Sequence, residues 1–295
     1  MHKLWFVLLM LSDFGTAAAG VYRWQDENGN PHFSDRPRQG AERVTLKPGY
    51  AFLHVVHVYD GDTILLVDGR RVRLLGINTP EVEGRNKSEE AGGEQAKRWL
   101  MEALKDTRIR LVEDTEKLDK YGRFLAHVFT ERNRHVNLEL VRQGLAAVNI
   151  YPPNLQYTDA LVAAQEEAEA AGRGIWSRPE YAPKPSSQIS NKNGKGWQRV
   201  TGQVTALRTT RKFVYLKFTD RFDVRIERKN LALFPDINGY VGKAWEVRGW
   251  LNRSKNHFSM LIRHPSAIKN LSAQQSPSIF PTSGNGRQRT DHRFR

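Results

Sequence analysis

The turn Asp60-Gly61-Asp62-Thr63 sets two carboxylates either side of a glycine, and Asn78-Thr79-Pro80-Glu81 ends an apolar run on oxygen-bearing residues. Hard cations such as Ca²⁺ prefer carboxylate and carbonyl oxygens, and Asp62, Asn78 and the Thr79 carbonyl could supply three. An acidic turn taken alone is more often a solvated surface loop. Arg73 falls inside a strand-like run, where a charge ordinarily faces water. Lys120-Tyr121-Gly122-Arg123 gathers two cations around a glycine, which suits a phosphate cradle and equally an exposed hairpin. Cysteine is absent, so disulfides, thiolate nucleophiles and Cys-bound zinc are excluded.

The elements that must hold these residues can be traced between positions 52 and 177. Strand-like runs at 54–57 and 63–67 flank the first turn, and Asp68-Gly69 leads into another at 71–77. Ala96, Leu100 and Leu104 recur at helical spacing within 94–104. Runs at 109–112 and 124–129 are strand-like, with the polar turn 119–122 between them. A short helix at 137–143 closes on Gly144, and an Ala/Glu-rich helix at 158–171 ends at Gly172 and Gly174.

Each fragment is weak alone, but their order is specific. D-G-D-T, R-L-L-G-I-N-T-P-E, D-K-Y-G-R, N-x-x-L-V-R-Q-G-L-A and G-I-W-S follow one another from about Val55 to Ser177, and together they resemble the staphylococcal nuclease (thermonuclease) family. The resemblance implies an OB-fold-like β-barrel with three helices over 50–180, and Ca²⁺-dependent hydrolysis of single-stranded DNA, RNA or both at the sugar 5′-oxygen, leaving 3′-phosphates. Carried over by position, Asp62, Asn78 and Thr79 stand at the metal-ligand places. Glu81 matches the carboxylate that orients or deprotonates the attacking water, and Arg73 and Arg123 match the guanidinium groups that grip the scissile phosphate. Lys120 and Tyr121 match residues near the nucleotide's terminal phosphate, and Tyr151, after a one-residue gap, is similar to a tyrosine on which the base stacks. At position 78 the best-known form of the family has aspartate. Asparagine keeps a similar oxygen but drops one charge, which should weaken Ca²⁺ binding. Such a loss is the only support for the competing reading, a catalytically weak or inactive nucleic-acid-binding module.

The flanks differ in character. Lys3, the apolar run 4–11 and Ala17-Ala18-Ala19 form the pattern of a cleavable signal peptide over 1–19, which predicts a periplasmic or secreted protein; no other run could cross a membrane. Residues 20–45 contain an Asn28-Gly29 turn between β-like runs, and their Y-R-W-x-D-x-x-G-x-x-H-F-S-D-x-P pattern resembles a small module of bacterial envelope proteins, with Trp24, His32 and Phe33 as hairpin packing. Residues 181–196 have linker composition, 197–271 predict five short strands and a second small β-barrel-like domain, and 272–295 read as a disordered basic tail. The 295-residue chain carries Lys+Arg 46 against Asp+Glu 32, a net charge of +14 that favours a polyanionic partner. Ten Lys/Arg against Asp220, Asp223 and Glu227 fall within 195–230. In 211–218 cations alternate with aromatics, and the simplest expectation puts the aromatics in a barrel core and the cations on a solvated face; the other is a basic, partly aromatic face for single-stranded nucleic acid.

Overall fold

The computed structural model describes residues 21–27, 29–44, 51–84 and 89–271, so the leader at 1–19 and the tail at 272–295 lie outside the described residues. The chain divides into two compact units after Ala51. In the first, β1 (Val21–Gln25) is flanked by β2 (Pro31–Ser34) and β3 (Glu42–Val44) in an antiparallel sheet. Asp26 holds the turn by accepting from the Asn30 N–H at 2.9 Å, and Trp24 stacks on its cross-strand partner His32 at 5.4 Å. Phe33 points the other way and is exposed, so the hairpin packing is made by Trp24 and His32 without it.

The second unit begins with a closed five-stranded barrel. Its strands are β4 (Leu53–Asp60), β5 (Thr63–Leu66), β6 (Arg71–Leu74), β8 (Arg108–Val112) and β9 (Phe124–Thr130), in the ring order β4-β5-β6-β9-β8. Only β6 and β9 pair in parallel. Two short strands, β7 (Ile77–Asn78) and β10 (Ala147–Val148), pair beside the ring. The helices are α1 (Gly93–Leu104), α2 (Val136–Arg142) and α3 (Thr158–Ala170). Inward side chains Ile64, Leu66, Val72, Leu74, Ala126 and Val128 fill the barrel, and α1 adds Ala96, Leu100 and Leu104 from the stripe its spacing predicts. No helix among the described residues is long and apolar enough to cross a membrane.

The second half of this unit is a sheet of β11 (Lys184–Pro185), β12 (Trp197–Gln203), β13 (Ala206–Thr209), β14 (Phe213–Thr219), β15 (Phe222–Glu227), β16 (Ala244–Ser254), β17 (His257–Ile262) and β18 (Ile268–Asn270). Pairing runs β12-β16-β17-β15-β14-β13, with β15 and β17 parallel. Because β12 and β13 are successive stretches of one bent segment, broken only at Val204-Thr205, the two ends of that path are joined by the chain itself. The resulting strand order matches that of the first barrel. Residues 184–190, which have linker composition, pack on this domain: β11 pairs with Val200–Thr201, and Ile189 is buried in its core.

Strand β14 corrects one expectation. Its alternation sends Val214, Leu216 and Phe218 inward, while Phe213 and Tyr215 share the outer face with Lys217. Period-two patterning separates the faces but does not say which is the core; here the set of Val214, Leu216 and Phe218 is inside, so one of the three aromatics joins the core and two stay out. The two halves are clamped where α3 meets the sheet. Buried Arg248 donates to Glu169 on α3, the Nη2 to Oε2 distance being 2.8 Å, and to Glu246, which Arg199 also engages.

Candidate active site

The Asp60–Asp62 turn closes the β4–β5 hairpin underneath α1. Gly61 packs so tightly that a Cβ there would lie 2.6 Å from Ala96 Cβ and 2.7 Å from Thr79 Cγ2, so this position has no room for a side chain. Asp62 is consequently buried. Its carboxylate accepts from the Thr79 N–H at 3.0 Å, the Thr63 hydroxyl at 3.1 Å and Arg73 Nη2 at 2.9 Å. Asp60 lies beside it and accepts from the Asp62 N–H at 3.0 Å. Burial and the Asp62 charge push the Asp60 carboxyl up to about 6.

Arg73 sits on β6 opposite Thr63 and reaches the same spot. Its guanidinium is fixed by the Leu74 carbonyl at the end of its own strand at 2.6 Å, by the Ile77 carbonyl of β7 at 3.0 Å, and by Asn78 Oδ1 at 3.3 Å. Asn78 in turn donates to the Thr79 carbonyl at 3.0 Å. Asp62, Arg73, Asn78 and Thr79 are therefore one hydrogen-bonded group. Carboxylate, amide oxygen and backbone carbonyl make an all-oxygen donor set, with the second carboxylate of Asp60 beside it. That chemistry fits a hard divalent cation. No cluster of three or more His, Cys, Asp or Glu side chains occurs among the described residues, so amide and main-chain oxygens would have to complete the ligand set.

Glu81 follows Pro80 and is held by its backbone: its N–H donates to Glu90 Oε2 at 3.0 Å and its carbonyl accepts from the Glu90 N–H at 2.8 Å. Gly93 at the head of α1 lies against it, and a Cβ there would come within 2.4 Å of the Glu81 oxygen. Arg123 immediately precedes β9, the parallel neighbour of β6, so it enters beside the strand that carries Arg73. Asp119 accepts from the Arg123 guanidinium at 2.7 Å and from the N–H groups of Tyr121 and Arg123. Burial opposes ionisation of Asp119, but these bonds outweigh it and hold its pKa below the ordinary value. Tyr121 is exposed with Lys120 Nζ 4.8 Å from its ring and the Arg123 guanidinium 5.6 Å from it, around a surface hollow that Arg70 and Arg71 also line.

Tyr151 is placed apart from this group. It follows β10, whose Ala147 pairs with Asn78, and its ring lies 4.4 Å from the Arg263 guanidinium in the groove between the two barrels. Asp60, Asp119 and Gly93 belong to the site without having been assigned a part from the sequence. Asp60 and Asp119 stand in the motifs D-G-D and D-K-Y-G-R, but their burial and bonding depend on the fold.

Residues 71–178 match the family described as Staphylococcal nuclease homologue, and residues 7–52 match a domain of unknown function, DUF4124. The chain is 40% identical to the thermonuclease of Staphylococcus intermedius over 127 residues, 42% of this chain and 75% of that protein. It is 34% identical to the thermonuclease of Staphylococcus hyicus, covering 42% and 74% respectively. It is also 30% identical to the endonuclease YncB of Bacillus subtilis, covering 53% and 76%. The barrel, its three helices and these likenesses agree: the chain belongs to the staphylococcal nuclease homologue family, as a hydrolytic nuclease.

Proposed function

We propose that the protein is an exported, Ca²⁺-dependent nuclease that hydrolyses phosphodiester bonds of single-stranded DNA, RNA or both at the 5′-oxygen, leaving 3′-phosphates. The observation that carries this reading is the buried Asp62 carboxylate, bonded to Arg73 and Thr79 with a second carboxylate beside it. Asp62, Asn78 and the Thr79 carbonyl would hold the ion, with Asp60 adding charge nearby. Bound there, Ca²⁺ would supply Lewis-acid stabilisation of charge developing on the phosphoryl oxygens.

The chain's own residues supply the rest. Attack on a phosphodiester builds negative charge on the non-bridging oxygens, and preorganised guanidinium forks meet it without reorganisation. Arg73 is preset by the Leu74 and Ile77 carbonyls, and Arg123 by Asp119. Glu81 takes or steers the proton of the attacking water, and its anchored backbone limits where that carboxylate can go. Lys120 and Tyr121 sit beside Arg123 as phosphate and sugar contacts.

The test is degradation of single-stranded DNA by the wild-type protein with Ca²⁺ and with EGTA, and by Glu81→Ser with Ca²⁺. Loss of cleavage in the second and third conditions is expected; equal cleavage in all three would end the reading. The export part rests on the leader pattern at 1–19. Recovery of the intact leader on cytoplasmic protein would end that part alone.

A further inference from the structure

The outer face of the C-terminal sheet carries a row of cations and rings, with Glu227 and Asp223 on the same face opposite Phe213 and Lys217. Across it Arg208, Tyr215, Arg225 and Leu261 stand in register on β13, β14, β15 and β17. The Arg208 guanidinium lies 4.1 Å from the Tyr215 ring, and that of Arg225 lies 5.6 Å from Phe213. Arg225 also lines the groove between the barrels, a space of about 300 Å³ that includes Tyr151, Trp250, Asn252, Arg263 and His264. Arg263 covers Tyr151 there. Outer face and groove are therefore continuous through Arg225, and the lining of the groove begins at Val148, next to the Ala147 that pairs with Asn78.

Charge pairing sets three arginines apart from the clamp, whose Arg248 is itself a wall of the groove, and from Lys217 on the outer face. Arg199 and Arg248 are neutralised by Glu246 and Glu169, and Lys217 by Asp223. Arg208, Arg225 and Arg263 have no carboxylate partner among the described residues. Arg225 Nε is buried and has no hydrogen-bond partner among the described residues. Leaving a buried donor unbonded is costly, and the surrounding sheet supplies no acceptor for it. Unpaired guanidinium groups spaced between ring faces fit a chain of phosphates with bases between them, and any base can stack because every base has a π-face.

We propose that this groove, with the outer face of β13–β15 behind it, is a second binding track for single-stranded nucleic acid. Arg263 and Arg225 take backbone phosphates, and Tyr151, Phe213 and Tyr215 offer stacking surfaces. The inference rests on the nuclease reading only for the strand's other end; binding to the track needs no turnover.

The test uses the full-length protein with Ca²⁺ chelated and fluorescence anisotropy of labelled single-stranded DNA. Lengths of about 4 and about 16 nucleotides span the site sizes of one such barrel. For Arg225→Gln/Arg263→Gln, affinity for the longer strand should fall about tenfold. Its log–log salt slope should shrink by about 1.4, or about 0.7 for each phosphate left without its cation. Arg225→Lys/Arg263→Lys, which keeps both charges, should retain the slope. Arg263→Gln alone guards against damage to the sheet, and should lower the slope by about 0.7. Unchanged long-strand affinity and slope in the Gln variants would overturn the track, as would equally tight binding of polyglutamate. The nuclease reading fails separately, through absent cleavage by wild type with Ca²⁺.

Discussion

Asn78 brings a neutral oxygen to a group that otherwise runs on charge. It is hydrogen-bonded to Arg73 and to the Thr79 carbonyl, so an isosteric carboxylate would keep the bond from Arg73 and give up the one to Thr79. Cation affinity follows the number of charged ligands. Asn78→Asp should therefore tighten apparent Ca²⁺ affinity about tenfold, or ~1.4 kcal/mol, read from a nuclease assay titrated with Ca²⁺; unchanged dependence would remove position 78 from the ligand set. A second residue-scale effect concerns His127 and His135, buried with Nδ1 and Nε2 3.2 Å apart and in ring contact with Tyr157. Burial lowers His127 to about 4; burial, with the charges of His127 and Arg110, lowers His135 to about 3. Above the ordinary value of 6.5 both folded and unfolded chains hold them neutral. Below it the unfolded chain takes up protons that the folded chain refuses, so stability falls as pH drops from 6.5 towards 4. His127 alone accounts for on the order of 3 kcal/mol across that window. A Tm that stays flat over the same range would contradict the buried neutral pair.

At the scale of elements, α1 meets Glu81 through a missing side chain. Gly93 opens the helix against the Glu81 carbonyl, where even a methyl group has no space. Gly93→Ala should displace Glu81 by a fraction of an ångström to an ångström, a shift of the kind that costs about 10²-fold in rate. The expected signature is a fall in kcat with Tm only modestly lowered; normal kcat would mean that Glu81 does not act from this position. The helices were legible in the sequence because each has a strong marker, such as Ala96, Leu100 and Leu104 one turn apart, or Gly144 after α2. The site was legible as an ordered set of motifs. Its interior was not. Asp60-Gly61-Asp62 has the composition of a solvated turn, and only the packing of Gly61 against Ala96 and Thr79 buries it. The outward face of Phe213 and Tyr215 was hidden for a different reason: alternation in β14 is visible in the sequence, but which set faces the core depends on the sheet around it.

On the scale of the whole molecule, Glu169 joins the two barrels through Arg248, whose side chain is nearly all buried and shared with Glu246. Removing one partner leaves a buried charge short of a counterion, at a cost of about 3–5 kcal/mol. Glu169→Ala should lower Tm and split calorimetric unfolding into two transitions, one for each barrel. A single transition at the wild-type temperature would show that the halves do not depend on the clamp. The same clamp has a metric consequence. Glu169 on α3 grips Arg248, which Glu246 holds from the same strand β16, so the clamp resists sliding of the helix along the sheet and limits change in the span from Asp62 to the Arg225 row, like the gap of a set caliper. A strand long enough to bridge that gap would be cut at a constant distance from its held segment, and the clamp would then set product length.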